Sequence, residues 1–203
     1  MVAIYKPLPR SFYKRNTIIV ARELVGAYLV RKIAGKLIVG RIVETEAYPS
    51  NDPASHAFIG ERKRNRSLFG PVGHAYVYFV HNNFCLNVVA RDERLPAGGV
   101  LIRAIEPISG IEYMKKKRPH IDNEINLTNG PGKLTKALAI ARELDGLDLS
   151  GEGELVIARG EPLAYGEVKA TRRIGISKGV SKRWRFIIAD NPWVSRYRKN
   201  KPK

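Results

Sequence analysis

The sequence predicts an α+β fold, a largely antiparallel sheet with a few helices beside it. Apolar runs of strand length recur along the chain, and neighbouring runs are joined by short turn-forming segments. Other stretches space their apolar residues at the helical period. The chain has 203 residues, 44% of them apolar. That suits one domain, 1–203, with room for a real core and a basic tail at about 196–203.

In order along the chain, TIIVARELVG (17–26) reads as a helix that Thr17 could cap. AYLVRKI (27–33) and LIVGRIVETEAY (37–48) read as two strands joined by the tight turn AGK. Residues 49–60 hold Pro, Asn, Asp, Ser and Gly and form a loop. AYVYFV (75–80) and CLNVVA (85–90) are a second strand pair. Asn82 and Asn83 suit the turn between them because Asn tolerates positive φ. This puts His81 at or beside a hairpin tip. GVLIRAIEP (99–107) is another strand, and ISGIEYMKKKR (108–118) is helical. NGPGKLTKALAIAREL (129–144) is a better helix, with Pro131 in its first turn. ELVIAR, GEVKATRRIGI and RFIIAD close the chain as strands.

Charge is the strongest compositional signal. Lys and Arg number 36 against 19 Asp and Glu, a net +17. The basic residues cluster at 60–67, 114–120, 169–175, 181–185 and 195–203. Any one cluster is as well explained by a solvated surface. A balance this lopsided over the whole chain points to a polyanionic partner, most often nucleic acid. Cys85 is the single cysteine, so no intrachain disulfide forms, which fits a reducing compartment. The N-terminus shows no apolar signal-peptide core, and no apolar run nears the ~20 residues that span a bilayer. The expectation is a soluble intracellular protein with no membrane partner.

VETEAYPSNDPASH (43–56) is the most informative stretch. Period-2 alternation puts Glu44, Glu46 and Tyr48 on one strand face. On pattern alone this is an exposed strand end. The alternative is a carboxylate at the rim of a basic cleft, where it repels phosphate and suits a general base that activates water. His56, in the following loop, is either a surface histidine or a hydrogen-bonding group for a ligand. Tyr76 and Tyr78 share a face and could both be core, yet a phenol prefers a bonded or wet end. Asn87 interrupts an apolar run and needs a partner, structural or ligand. TNGPGKL opens a helix but lacks Walker-loop spacing. None of the four histidines has the spacing of a zinc motif, so no metal is expected.

Six ordered blocks carry a resemblance. They are GRIVETEAY, a His eight residues on, RNRSLFGPVGHAYVYFVHNNFCLNVV, GVLIRAIEPISGIEYM, NGPGKLTKALAI and RFIIADNPWVS. Spanning roughly 15 to 195, they resemble the alkyladenine (3-methyladenine) DNA glycosylases of the human-type family. The resemblance implies a curved, largely antiparallel sheet in a single domain with flanking helices. It implies a monofunctional, monomeric enzyme of base excision repair that needs no metal or organic cofactor. Its partner would be double-stranded DNA containing damaged purines, in the cytoplasm and nucleoid, or in a nucleus. Such an enzyme flips an alkylated or deaminated purine (the 3-methyladenine, 7-methylguanine, hypoxanthine and ethenoadenine class) and hydrolyses its N-glycosidic bond, leaving an abasic site. Carried over, Glu46 is the base that activates water and Arg103 helps hold that water. Tyr48, His56 and Tyr78 sandwich the flipped base, and Asn87 excludes the amino group of normal guanine. Glu44 stays structural or electrostatic.

One departure is visible. The family commonly has a wedging tyrosine at the hairpin tip, and here the aligned residue is His81. Imidazole stacks over less area, so intercalation is expected to survive with weaker or pH-sensitive flipping, and lesion range is the property this departure affects. Two other readings compete. A basic nucleic-acid-binding module without chemistry has no use for Glu46. A two-carboxylate glycoside hydrolase could use Glu44 and Glu46 but has no need of +17.

Overall fold

A computed structural model describes residues 5–195 of the chain. The basic tail expected at about 196–203 lies outside the described residues. The elements in order are α1 (Arg10–Tyr13), α2 (Thr17–Glu23), β1 (Tyr28–Ile33) and β2 (Lys36–Pro49), then a 3₁₀ helix over Lys63–Phe69. There follow β3 (Ala75–Val80), β4 (Asn83–Val89), β5 (Gly98–Ser109), α3 (Ile111–Lys117), α4 (Ile125–Thr128) and α5 (Pro131–Ala137). A 3₁₀ turn over Arg142–Leu144 leads to β6 (Leu155–Ala158), β7 (Val168–Thr171) and β8 (Arg185–Ile188).

The class is α+β. One curved, eight-stranded sheet runs β3-β4-β5-β2-β1-β6, and β8 pairs both with the far half of β2 and with β7. Every pairing among these strands is antiparallel. The main core lies between the sheet and the helices. Val20 and Ala21 from α2, with Leu24 capping its end, meet Ile38, Ile42 and Val43 of β2, Ile102 and Ile105 of β5, and Leu134 and Ala137 of α5.

The pairing of β2 with β5 shifts register around Ile42, Glu44 and Thr45. Ile42 faces Ile105 and Glu44 faces Ala104, so Val43 is an extra residue on β2. Glu44 faces Ala104 and Thr45 faces Ile102, so Arg103 is the extra residue on β5. Such bulges bend a strand and re-aim its side chains. Here Ile42 and Val43 both enter the main core, and beyond them the alternation is inverted. Thr45 and Ala47 then face inward, and the Thr45 hydroxyl donates to the Ala21 carbonyl at 2.6 Å. Glu44, Glu46 and Tyr48 take the other face. Uninterrupted alternation from Ile38 and Ile42 would aim both glutamates into the helices.

Several boundaries differ from the sequence reading. Asn16 caps α2 by accepting from Ile18 N, whereas the Thr17 hydroxyl donates to the Ala90 carbonyl. Strand β5 continues to Ser109, and α3 starts after Gly110, whose φ of 77° and contact with Ile38 leave no room for a side chain. The helix expected over 129–144 ends at Ala137, with Ala139 at φ 49°. The chain past it is drawn to the free edge of β3 instead. Arg142 donates to the Val77 carbonyl, and Asp145 accepts from Val77 N. Covering an edge strand in this way blocks its pairing with another chain. The turn between β3 and β4 is His81–Asn82, with φ 46° and 58°, rather than Asn82–Asn83. The segment 172–176, expected to extend a strand, leaves the sheet for a reason given below.

Candidate active site

Glu44 and Glu46 do not form an exposed strand end. Both are fully buried, and so is Thr45 between them. The inverted alternation aims the two carboxylates at β5 and at the segment after β7. Arg103, the bulged residue, reaches both of them: its Nε donates to Glu44 Oε1 at 3.2 Å and its Nη1 to Glu46 Oε2 at 3.1 Å.

Glu44 is saturated. It also accepts from Arg185 Nε at 2.6 Å, Ser195 Oγ at 2.8 Å and Ser195 N at 2.7 Å. Glu46 is less so. Its Oε2 accepts from the Tyr48 hydroxyl at 2.7 Å and from Arg103, while Oε1 accepts from Ile174 N at 2.7 Å. A carboxylate offers about four lone-pair sites, so Oε1 keeps one acceptor position. Burial opposes the charge on Arg103, yet Glu46 and then Glu44 more than offset it, and its pKa is raised. Burial first, and the Glu46 charge second, push the Tyr48 phenol well above its ordinary value. Tyr48 is therefore a firm donor to the carboxylate.

In front of this pair lies a cavity of about 600 Å³. Tyr48, His56, Tyr78, His81, Asn87 and Arg103 all line it, together with Tyr76, Cys85 and the backbone-rich segment 174–178. Six of the seven residues singled out in the sequence thus meet on one cavity, and Glu46 sits behind its wall. Tyr76 and Tyr78 stack at 5.3 Å with 29° between planes. The His56 ring stands edge-on to Tyr78 at 4.6 Å, and its Nδ1 lies 2.9 Å from the Tyr76 hydroxyl. Burial, followed by Asp145, pushes Tyr76 up to about 12, and burial raises Tyr78 as well. His56 keeps an open edge at the cavity mouth. The protein packed around its ring, with Arg64 next, lowers its pKa. Tyr48, Tyr76, Tyr78 and His56 are therefore uncharged at neutral pH, and Arg103 brings a charge to the cavity wall, held there by the glutamates. Asn87 is buried, with one N–H directed at the Tyr76 carbonyl at 3.4 Å. His81 tops the hairpin and is exposed.

Sequence reasoning missed Asp52, Arg173 and Ile174. Asp52 was one polar residue in a turn-rich loop, and Arg173 one cation in a basic cluster. No spacing rule ties them together across so long a separation. No group of three or more His, Cys, Asp or Glu side chains among the described residues could hold a metal ion. No helix among them is long and apolar enough to cross a membrane.

The family model for methylpurine-DNA glycosylases matches residues 11–192. A protein of Carboxydothermus hydrogenoformans, named as a 3-methyladenine DNA glycosylase, is 48% identical over 93% of this chain and 98% of its own length. Similarly named proteins of Clostridium acetobutylicum and Methanocella arvoryzae are 45% and 44% identical, over 95% and 93% of this chain and 99% and 96% of theirs.

Proposed function

Since the chain belongs to the methylpurine-DNA glycosylase family and is therefore a hydrolase acting on DNA, we propose that it removes alkylated and deaminated purines by base flipping and water attack. The lesions are of the 3-methyladenine, 7-methylguanine, hypoxanthine and ethenoadenine class. The observation that carries this reading is Glu46: a buried carboxylate held by the wall of an aromatic cavity, in a chain of net charge +17. A binder of polyanions gains nothing from that group.

A base inside the duplex stack cannot be reached, so it is extruded at a cost of a few kcal/mol, less for a damaged or mispaired base. The cavity returns part of this. Stacking on an aromatic contributes ~1–3 kcal/mol per base. Tyr48, His56 and Tyr78 supply the faces, and His56 a polar edge. Asn87 sets the limit on the base edge: a purine carrying an exocyclic amino group there meets a side chain already fixed on Tyr76. Leaving a buried polar group unpaired costs about 1–3 kcal/mol, which is the size of discrimination such a contact gives. His81 fills the space left in the duplex.

Cleavage develops oxocarbenium character on the sugar. The free acceptor site on Glu46 Oε1 suits a water. As that water's oxygen bonds to the anomeric carbon, the bond to the purine nitrogen breaks and its electrons leave with the base. Glu46 takes the water's proton. Arg103 holds Oε2 and orients the carboxylate. The charge on Glu46 also stabilises the cationic sugar. A cationic alkylated purine leaves unaided, whereas a neutral one such as hypoxanthine takes a proton from solvent as it departs. The products are the free base and an abasic site. The enzyme works wherever the cell keeps its DNA.

The test is hot-alkali strand cleavage of a duplex with one hypoxanthine, comparing the parent with Glu46→Gln, and repeated with 7-methylguanine read as free base released at neutral pH. The parent is expected to make an alkali-labile site, and Glu46→Gln to bind without making one. Parent inactivity on both lesions would leave a binding protein and end this reading. Full activity in Glu46→Gln would remove Glu46 as the base.

A further inference from the structure

Asp52 and Arg173 form an ion pair with no exposed side-chain surface on either partner. They come from the loop after β2 and the segment after β7, 121 residues apart. Desolvating two charges is expensive, and well-packed apolar residues often serve stability as well or better. One of the pair's other contacts stays within its own segment, Arg173 Nη2 donating to the Gly179 carbonyl at 3.4 Å, and others lead toward the site.

Arg173 Nη1 also donates to the Ala47 carbonyl at 2.8 Å, the backbone between Glu46 and Tyr48. Its guanidinium carbon lies 4.7 Å from the centre of the Tyr48 ring and 5.3 Å from that of Trp184. The next residue's N–H is the one that donates to Glu46 Oε1. Lys182 Nζ reaches the second Asp52 oxygen at 3.4 Å and sits 4.1 Å from the Trp184 ring, so the carboxylate is gripped on both sides. Arg173 itself is absent from the cavity wall formed by Tyr48 and 174–178. It lies behind that wall. This explains why 172–176 leaves the sheet: Arg173 is drawn into the Asp52 pair, and Ile174 is placed on Glu46.

We propose that the Asp52–Arg173 pair is a positioning unit, which sets the plane of the Tyr48 ring against the flipped base and fixes the Ile174 donor on Glu46. It rests on the reading of the site given above. Neither residue touches the substrate; both act through Tyr48 and Glu46. Arginine is specified because Nη1 serves Asp52 and the Ala47 carbonyl, Nη2 reaches the Gly179 carbonyl at 3.4 Å, and the same plane lies against the Tyr48 and Trp184 rings, a spread of contacts that one compact ammonium cannot span.

Arg173→Lys keeps the charge and loses the fork. It is expected to melt near the parent and to bind lesion DNA within about threefold. Single-turnover excision should fall about 10- to 100-fold, the scale of a small misplacement of reacting groups. Asp52→Asn, which keeps a hydrogen bond and loses the charge, should fall in the same direction. A readout independent of chemistry is ¹⁹F NMR of protein carrying fluorotyrosine, with the Tyr48 line assigned by Tyr48→Phe. That line should shift or broaden in both variants, whether or not the parent excises the lesion. The proposal is overturned if folded Arg173→Lys excises at the parental rate, or if the Tyr48 line is unmoved. It is overturned equally if neither variant folds, since the pair then serves the fold alone.

Discussion

The Tyr48 phenol donates to Glu46 Oε2 at 2.7 Å, from a position two residues along the same strand face. The same side chain that walls the cavity therefore also holds the carboxylate. This bond separates stacking from chemistry. Tyr48→Phe keeps the ring and its contact with Arg173 and removes one donor from a charged acceptor, an interaction of about 1.5–3 kcal/mol. Single-turnover excision is expected to fall by roughly 10- to 100-fold, while affinity for lesion DNA changes by less than about threefold. Equal losses in both would mean that the hydroxyl serves binding.

Glu44 has the opposite profile. Its carboxylate is fully buried and bonded to Arg103, Arg185 and Ser195. Glu44→Gln leaves two largely buried guanidinium groups short of a counter-charge. Removing one partner of a buried pair costs about 3–5 kcal/mol. Urea unfolding should show a loss of that order. A change below about 1 kcal/mol would place Glu44 outside the frame that holds Arg103.

The strands and hairpins were legible because alternation and turn chemistry are local. The pattern over 75–80 predicts a strand, and β3 has the same bounds. The face of Glu44, Glu46 and Tyr48 relative to one another also follows from period 2. Their burial does not, because it depends on Val43 and Arg103 each adding a residue to opposite strands, which no single-strand pattern encodes. The loss of the last turns of the helix after Pro131 has the same origin. Helical period persists through residue 144, but Arg142 and Asp145 are taken by the edge of β3. The aromatic residues of the cavity were found because a tyrosine or asparagine in an apolar run is locally odd. Asp52 and Arg173 are locally ordinary, and only the closed fold makes a pair of them.

His56 gives a pH signature. The protein around its ring, then Arg64, holds its folded pKa below the ordinary 6.5. As pH falls past 6.5 the unfolded chain takes up a proton there before the folded one does. Where the unfolded state binds more protons, stability rises with pH. His56 therefore weakens the fold as pH drops from about 6.5 to the lower folded value, and contributes no slope above that window. Urea titrations from pH 5 to 8 should show this slope in the parent and a shallower one in His56→Gln. Identical slopes would mean that the ring titrates freely.

His81 sits at the end of a stalk braced by its own contacts. Asn83 Nδ2 donates to the His81 carbonyl at 2.6 Å, and Phe79 and Phe84 pack across the strands at 5.0 Å. The hairpin also rests on α5, where a Cβ at Gly132 would lie only 2.6 Å from that of Asn83. With the stalk braced in this way, the tip residue sets how well the gap in the duplex is filled. Stacking on a base is worth about 1–3 kcal/mol, and imidazole falls at the low end. His81→Ala is expected to weaken lesion-DNA binding by roughly 5- to 10-fold. The loss should be larger for a well-paired lesion than for one opposite a mismatch, because the mispaired base costs less to extrude. His81→Tyr should bind at least as tightly as the parent. If His81→Ala binds and excises as well as the parent on both duplexes, the hairpin tip is not the wedge.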